Sequence, residues 1–296
     1  PGYGGTQRLP RLIGEGHALS SMQNVLSADD RFMRVSMDLE YALSEWEWEE
    51  YSTAAQEIVE RIERAGGEAI LDDVVIELFN QFGLKEGTVR TYAASPAFVV
   101  TNGVIRLRGS DEEFAVNDRV ASAEGLYLRP DGCVVFHLPV DADVVRGSGR
   151  SIPNPLSVAV GVRPGAVRDF STGTQGRVRM SWPSTAVTGA AMGSTRALVE
   201  GLDAQIGDVV RLVFDLDAET VEGCIVSGSS LSDLTGLSLS PGGEAAELAA
   251  AIQVDPFEVR AALADRGDGT VAAMIPVAGP SRGLDDALTR LDGLLG

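Results

Sequence analysis

The chain has 296 residues, enough for two or three domains that each bury their own core. Its formal net charge of -19 excludes a protein that is basic throughout, so contact with nucleic acid would need a local field that the total hides. Two distant cysteines in apolar, strand-like contexts, Cys133 and Cys224, read as buried thiols and exclude a disulfide framework or a paired-cysteine metal site. No apolar run reaches the length of a membrane span, which leaves a cytoplasmic protein as the expectation, nucleoid-associated at most.

In chain order, residues 1–50 form an N-terminal segment. Its second half predicts a helix over Ser20 to Ser27, a turn through Ala28 to Arg31, a strand from Phe32 to Val35 and a further extended stretch from Tyr41 to Trp46. The phrase SSMQNVLSADDRFMRV at Ser20 to Val35 returns as GTVRTYAASPAFVV at Gly87 to Val100. Met22, Val25 and Leu26 match Val89, Tyr92 and Ala93, and Phe32 matches Phe98. Spacing of i, i+3 and i+4 predicts one buried helix face in each copy.

Residues 51–115 hold the whole second copy. Ser52 or Thr53 is placed to cap a helix carrying Ala55, Ile58, Val59 and Ile62, which Gly66-Gly67 ends. Glu68 to Leu71 predicts a short strand. Asp72 or Asp73 is then placed to cap a second helix with Val74, Val75, Leu78, Phe79 and Phe82 inward, stopped by Gly83. A third helix over Thr88 to Ala94 ends before Pro96. Asn102-Gly103, between Val100 and Val104, predicts a tight hairpin, since both positions tolerate positive φ.

Residues 120–228 change to strand periodicity, with strands expected at Tyr127 to Leu128, Cys133 to Val140, Val178 to Trp182, Val209 to Phe214 and Val221 to Val226. A second duplication lies here: LSVAVGVRPGAVRDF (Leu156 to Phe170) aligns without gaps to LVEGLDAQIGDVVRL (Leu198 to Leu212), matching Leu156 to Leu198, Gly165 to Gly207 and Val167 to Val209. A short helix, a glycine turn and a strand given twice predict a β-barrel with internal pseudo-twofold symmetry. Residues 229–243 read as a Ser/Gly linker. Residues 244–296 read as a small helical module: helices over Glu244 to Ile252 and Pro256 to Ala264, a short strand near Val271 to Ile275, and an amphipathic helix from Gly283 to Leu295.

Placing the charges separates two regions. Acid dominates before residue 115, whereas between Arg146 and Arg179 six arginines face only Asp169. Arg146 and Arg150 bracket Gly147-Ser148-Gly149, a loop through which guanidinium and backbone N–H groups can approach phosphate. Arg163 and Arg168 flank the first glycine turn, and Arg177 and Arg179 alternate along one strand and so share a face. On the repeated helices the outward residues include Gln23 and Asn24, which suit adenine, and Arg90 and Thr91. Arg106 and Arg108 follow on the hairpin. Against base or phosphate contact stand ion pairs: Arg90 with Glu86, and the later arginines with Asp141, Asp143 and Asp169.

The order helix, strand, helix, helix, hairpin, with SMQNVLSADDRFMRV, VRTYAASPAFVV and GSTRALVEGLDAQIGDVVRLVFD, resembles multi-domain winged helix-turn-helix proteins of the HARE type from high-GC Gram-positive bacteria. The β-rich part resembles B3-like DNA-binding pseudobarrels. This resemblance implies an α+β chain of winged-helix repeats, a pseudo-symmetric β-barrel and a small C-terminal helical module. It supplies no invariant catalytic residue to carry over. Separately, PGYGGTQRLPRLIG at Pro1 to Gly14 resembles the crotonase signature PGxGGTQRLxRxxG of enoyl-CoA hydratases, whose acyl-CoA pocket pattern does not continue downstream.

Chemistry-bearing motifs are few. Only His17 and His137 exist, His137 within an apolar strand, and P-loop, HExxH and GxSxG patterns are missing. The expectation is therefore a DNA-binding or transcription-associated protein without catalytic activity, cofactor or metal, whose partner is double-stranded DNA. One alternative is an acidic adaptor for a basic protein surface such as RNA polymerase; another is a crotonase-like acyl-CoA enzyme.

Overall fold

The computed structural model describes residues 15–35, 40–44 and 52–275. The sequence-expected helix at Gly283 to Leu295 and the crotonase-like Pro1 to Gly14 lie outside them. The chain is a mixed α+β protein that divides into two compact units: Pro1–Phe114 with Ser184–Val187, and Ala115–Pro183 with Thr188–Gly296.

The first unit opens with α1 (Glu15–Ser27), followed by an antiparallel hairpin of β1 (Phe32–Arg34) and β2 (Tyr41–Leu43). The helix-then-hairpin order matches the sequence reading, but the expected buried face does not. Met22 and Val25 are 50% and 66% exposed, whereas Val89, the counterpart of Met22, is fully buried and Tyr92, the counterpart of Val25, is half-buried. Periodicity marks an apolar stripe, and burial needs elements to pack on it. In the second copy the other helices and the sheet enclose it, whereas among the described residues the first copy has only the β1–β2 hairpin beside its helix.

That second copy runs α2 (Ala54–Arg64), β3 (Glu68–Ile70), α3 (Leu71–Phe82), α4 (Glu86–Ala93), β4 (Phe98–Thr101) and β5 (Val104–Leu107). The strands make a three-stranded antiparallel sheet in the order β3-β5-β4. Thr53 caps α2, its Oγ1 accepting from Gln56 N–H at 3.2 Å. Asn102 and Gly103 take φ of 52° and 81° in the hairpin turn. Ile58, Ile62, Leu78, Leu84, Val89 and Ile105 are all fully buried in one core.

Two expectations for α3 are corrected. Neither Asp72 nor Asp73 caps it: β3 passes straight into the helix, Ile70 occupies the cap position, and the Leu71 N–H is taken by Gly103 O at 2.9 Å. Phe79 does not point inward. Leu71, Val74, Val75, Leu78 and Phe82 already fill the buried stripe, and Phe79 falls on its flank, 58% exposed, one turn from Ile76 at 57%.

In the second unit, eight strands form one curled half-barrel sheet in the linear order β6-β7-β12-β13-β9-β10-β11-β8. Its first half contains β6 (Leu126–Leu128), β7 (Val134–Pro139), α5 (Ala142–Arg146), β8 (Arg150–Ser151), α6 (Asn154–Ala159) and β9 (Val167–Ser171). Its second contains β10 (Arg177–Ser181), β11 (Ala191–Met192), α7 (Arg196–Gly201), β12 (Val209–Asp215) and β13 (Thr220–Ile225). The sequence repeat is visible in hydrogen bonds. Gly165 N–H donates to Trp182 O and Trp182 N–H to Ala166 O. At the matching positions Gly207 N–H donates to Val140 O and Val140 N–H to Asp208 O. The strand after each glycine turn thus pairs across the two halves, β9 with β10 and β12 with β7. Phe170 on β9 and Phe214 on β12 meet edge-on with ring centroids 5.0 Å apart.

Beyond the sheet lie α8 (Leu231–Thr235), α9 (Glu244–Ile252), α10 (Val259–Asp265) and α11 (Gly269–Met274). Residues 229–243, read as a linker, contain α8, which Ser230 caps by accepting from Asp233 N–H at 3.1 Å; Thr235 and Leu237 are buried. The strand expected near Val271 to Ile275 is the helix α11; periodicity cannot separate strand from helix in so short an apolar run. Arg266, between α10 and α11, is wholly buried: it pairs with Asp268, donates to Val120 O and Leu126 O at 3.2 and 2.7 Å, and lies over the Tyr127 ring.

Candidate functional site

The candidate nucleic-acid residues of the first unit fall on α1, α4 and the hairpin. On α1, Asn24 is exposed but Gln23 is half-buried. On α4, Arg90 is held twice: its Nε donates to Glu86 at 2.7 Å and its Nη2 to Asp72, on α3, at 2.6 Å. Both carboxylates stabilise the charged guanidinium, Glu86 most, and raise its pKa above the ordinary value. Thr91 Oγ1 donates back to Gly87 O at 2.6 Å.

Neither hairpin arginine is available. Arg106 makes a two-pronged pair with Glu112 at 2.6 Å each, and this, with the Gly109 N–H, lowers the Glu112 carboxyl to about 2. Arg108 donates to Pro96 O, Phe98 O and Glu113 O and lies over the Phe114 ring, so it fastens the strand ends.

In the second unit the six arginines separate into different environments. Arg168 is structural: it donates to Val160 O and Leu216 O, approaches Glu219 at 3.3 Å and covers the Phe170 ring. Arg177 and Arg179 do share the exposed face of β10, alternating with the buried Val178 and Met180, and both meet Asp169, Arg179 through two bonds of 2.9 and 3.0 Å. Hydrogen bonding from Arg179 lowers the Asp169 pKa. Arg146 pairs with Asp143 in the last turn of α5, and Arg150 lies 3.4 Å from Asp141. Arg163 is exposed and makes no ion pair among the described residues.

The glycine loop is close to a second basic element that sequence reasoning missed. A Cβ on Gly147 would lie 3.1 Å from Ser194 Oγ and 3.3 Å from Arg196 Cδ, and Gly193 N–H donates to Arg179 O at 2.6 Å. Arg146, Arg179 and Arg196 therefore border neighbouring loops, and Arg196 is itself paired with Glu200 at 2.7 Å. Exposed pairs of this kind contribute only about 0–1 kcal/mol each. Their larger consequence is for the field, since a carboxylate lies beside almost every arginine where a phosphate would have to sit.

Two further features were misplaced or missed by sequence reasoning. Ile76 and Phe79 are exposed on α3, on the flank that Asp72 shares and from which Asp72 reaches Arg90. Phe257, in the turn before α10, is 94% exposed. The thiols Cys133 and Cys224 are free and half-buried, and burial pushes Cys133 upward in pKa, away from a reactive thiolate. Burial likewise lowers His137 to about 4, which leaves it neutral at physiological pH. Among the described residues no cluster of His, Cys, Asp and Glu is arranged to hold a metal ion, and no helix is long and apolar enough to cross a membrane. The chain matches no protein-family model, and searches of curated proteins and of solved structures found no match either.

Proposed function

We propose that residues 52–107 are a winged helix-turn-helix, that the half-barrel is a pseudo-symmetric β-barrel built from two exchanged repeats, and that the chain is a non-catalytic, transcription-associated protein whose winged module docks on a basic protein surface. The observation that carries this reading is the composition of one face. Arg90, the best candidate to read a base on α4, is neutralised by Glu86 and Asp72, and Ile76 and Phe79 stand exposed on the same flank of α3. Phosphate is repelled by that pair of carboxylates, and the sugar-phosphate backbone offers little apolar surface to cover a phenyl ring. A protein surface that carries Lys or Arg around an apolar patch satisfies both. RNA polymerase, which has basic channels for nucleic acid, is the partner to test. Purified polymerase should bind the chain, and Phe79→Ser with Ile76→Ser should abolish binding without lowering thermal stability. Binding that survives both substitutions would refute the reading.

Contact with duplex DNA through the second unit is the second reading. It is favoured by Arg163, which has no ion pair among the described residues, and by the gathering of Arg146, Arg179 and Arg196 around two glycine-containing loops. Its test is titration with duplex DNA against salt: affinity should fall steeply as salt rises and drop again in Arg146→Ala and Arg150→Ala. Failure to bind at low salt removes this reading and leaves the first intact.

A further inference from the structure

Phe257, 94% exposed, is the most exposed large apolar side chain among the described residues, and its backbone is not loosely held. Its own N–H donates to Asp255 Oδ1 at 2.9 Å and the Glu258 N–H to Asp255 O at 2.9 Å, so a hydrogen-bonded turn presents the ring. Beside it in the same unit is a cleft of about 500 Å³, whose apolar wall includes Leu128, Val134, Val158, Leu216, Ile252 and Val254. Val254 is three residues from Phe257, so ring and cleft edge are no more than about 11 Å apart along the chain. The ring does not line its own cleft.

The charges around the two features are complementary. The turn flanks Phe257 with Asp255 and Glu258, and the cleft rim carries Arg119 and Arg129. Asp118 is also at the rim, and Arg129 is engaged by Asp131. Arg119 is exposed and makes no ion pair among the described residues, so it is the cation left to meet an incoming carboxylate.

We infer that this chain forms a twofold dimer in which Phe257 of each copy enters the cleft of the other. A projection and a recess only three residues apart along the chain suit a twofold interface, where the same patch serves both partners. The aromatic ring in an apolar recess is its anchor, and the acidic turn against Arg119 sets the orientation. A pre-formed turn reduces the ordering cost of association. The inference is independent of the docking face on α3, which belongs to the other unit.

Sedimentation equilibrium or light scattering of the full chain over a concentration series tests it. The wild-type chain should show a monomer–dimer equilibrium. Phe257→Ala should weaken it by roughly thirtyfold or more, the loss of an interface hot spot, with an unchanged circular dichroism spectrum because the side chain packs on nothing in the monomer. Arg119→Glu should weaken it as well, and Arg119→Lys should retain most of it. A wild-type chain that is monomeric throughout, or a dimer indifferent to Phe257→Ala, would overturn the inference.

Discussion

Replacing Arg266 with Met should be among the most damaging single substitutions in the second unit. The guanidinium is completely buried, as is most of Asp268, and its donors satisfy the carbonyls of Val120 and Leu126 as well as that carboxylate. Asp268 also accepts from Gly125 N–H at 3.2 Å, so its position is fixed and its charge cannot escape to water. Methionine keeps much of the packing against the Tyr127 ring but leaves a buried charge uncompensated, and breaking such a pair costs about 3–5 kcal/mol. Against a total stability of about 5–15 kcal/mol that is a large fraction. Urea denaturation followed by circular dichroism measures it. In the double variant Arg266→Met with Asp268→Asn the charge is gone from both sides, and the loss should be clearly smaller than the sum of the single losses. The clamp also holds the α10–α11 region to β6, so the single variant should dimerise poorly. A cost below about 1 kcal/mol, or strict additivity in the double variant, would show that the pair is not the fastening described.

Other outcomes follow from the same geometry. His137 has a folded pKa of about 4 against an ordinary 6.5, so its contribution is complete above pH 6.5 and is lost as pH falls towards 4. The loss amounts to about 3 kcal/mol, and His137→Gln should flatten that part of the stability-against-pH curve; an unaltered curve would contradict the burial argument. Glu112, lowered to about 2, has the carboxylate sign: its stabilisation is present above pH 4.5 and disappears as pH drops towards 2, an effect that Glu112→Gln should remove from an acid titration. Thr53→Ala should cost about 1 kcal/mol through the lost α2 cap, read from the thermal midpoint. Gly125→Ala should be far worse than Gly103→Ala. Both glycines have positive φ, but only at position 125 would the new Cβ collide with His137 Cβ, at 2.6 Å.

The exposed Phe79 and the paired Arg90 changed the functional reading most, and neither was legible as such. A helical period places Phe79 at the edge of an apolar stripe, and whether an edge residue is covered depends on how many others already fill the groove. Arg90 was visible as a partner for Glu86 one turn away, but the second carboxylate, Asp72, comes from another helix. Such a contact has no signature in local spacing.

What the sequence determined by itself is what short-range physics controls. The hairpin at Asn102-Gly103, the helix stops at Gly66-Gly67 and Gly83, the Thr53 cap, the alternation of Arg177 and Arg179 and the repeat linking Leu156 to Leu198 all depend on φ preference, capping or period, which neighbours in the chain fix. Tertiary structure decided what packs on each stripe and which charges meet. It buried Val89 while leaving Met22 exposed, took the Leu71 N–H with Gly103 instead of an aspartate cap, drew Arg266 under the sheet and left Phe257 in solvent. Burial and charge pairing depend on residues distant in the chain, and only the folded arrangement brings those together.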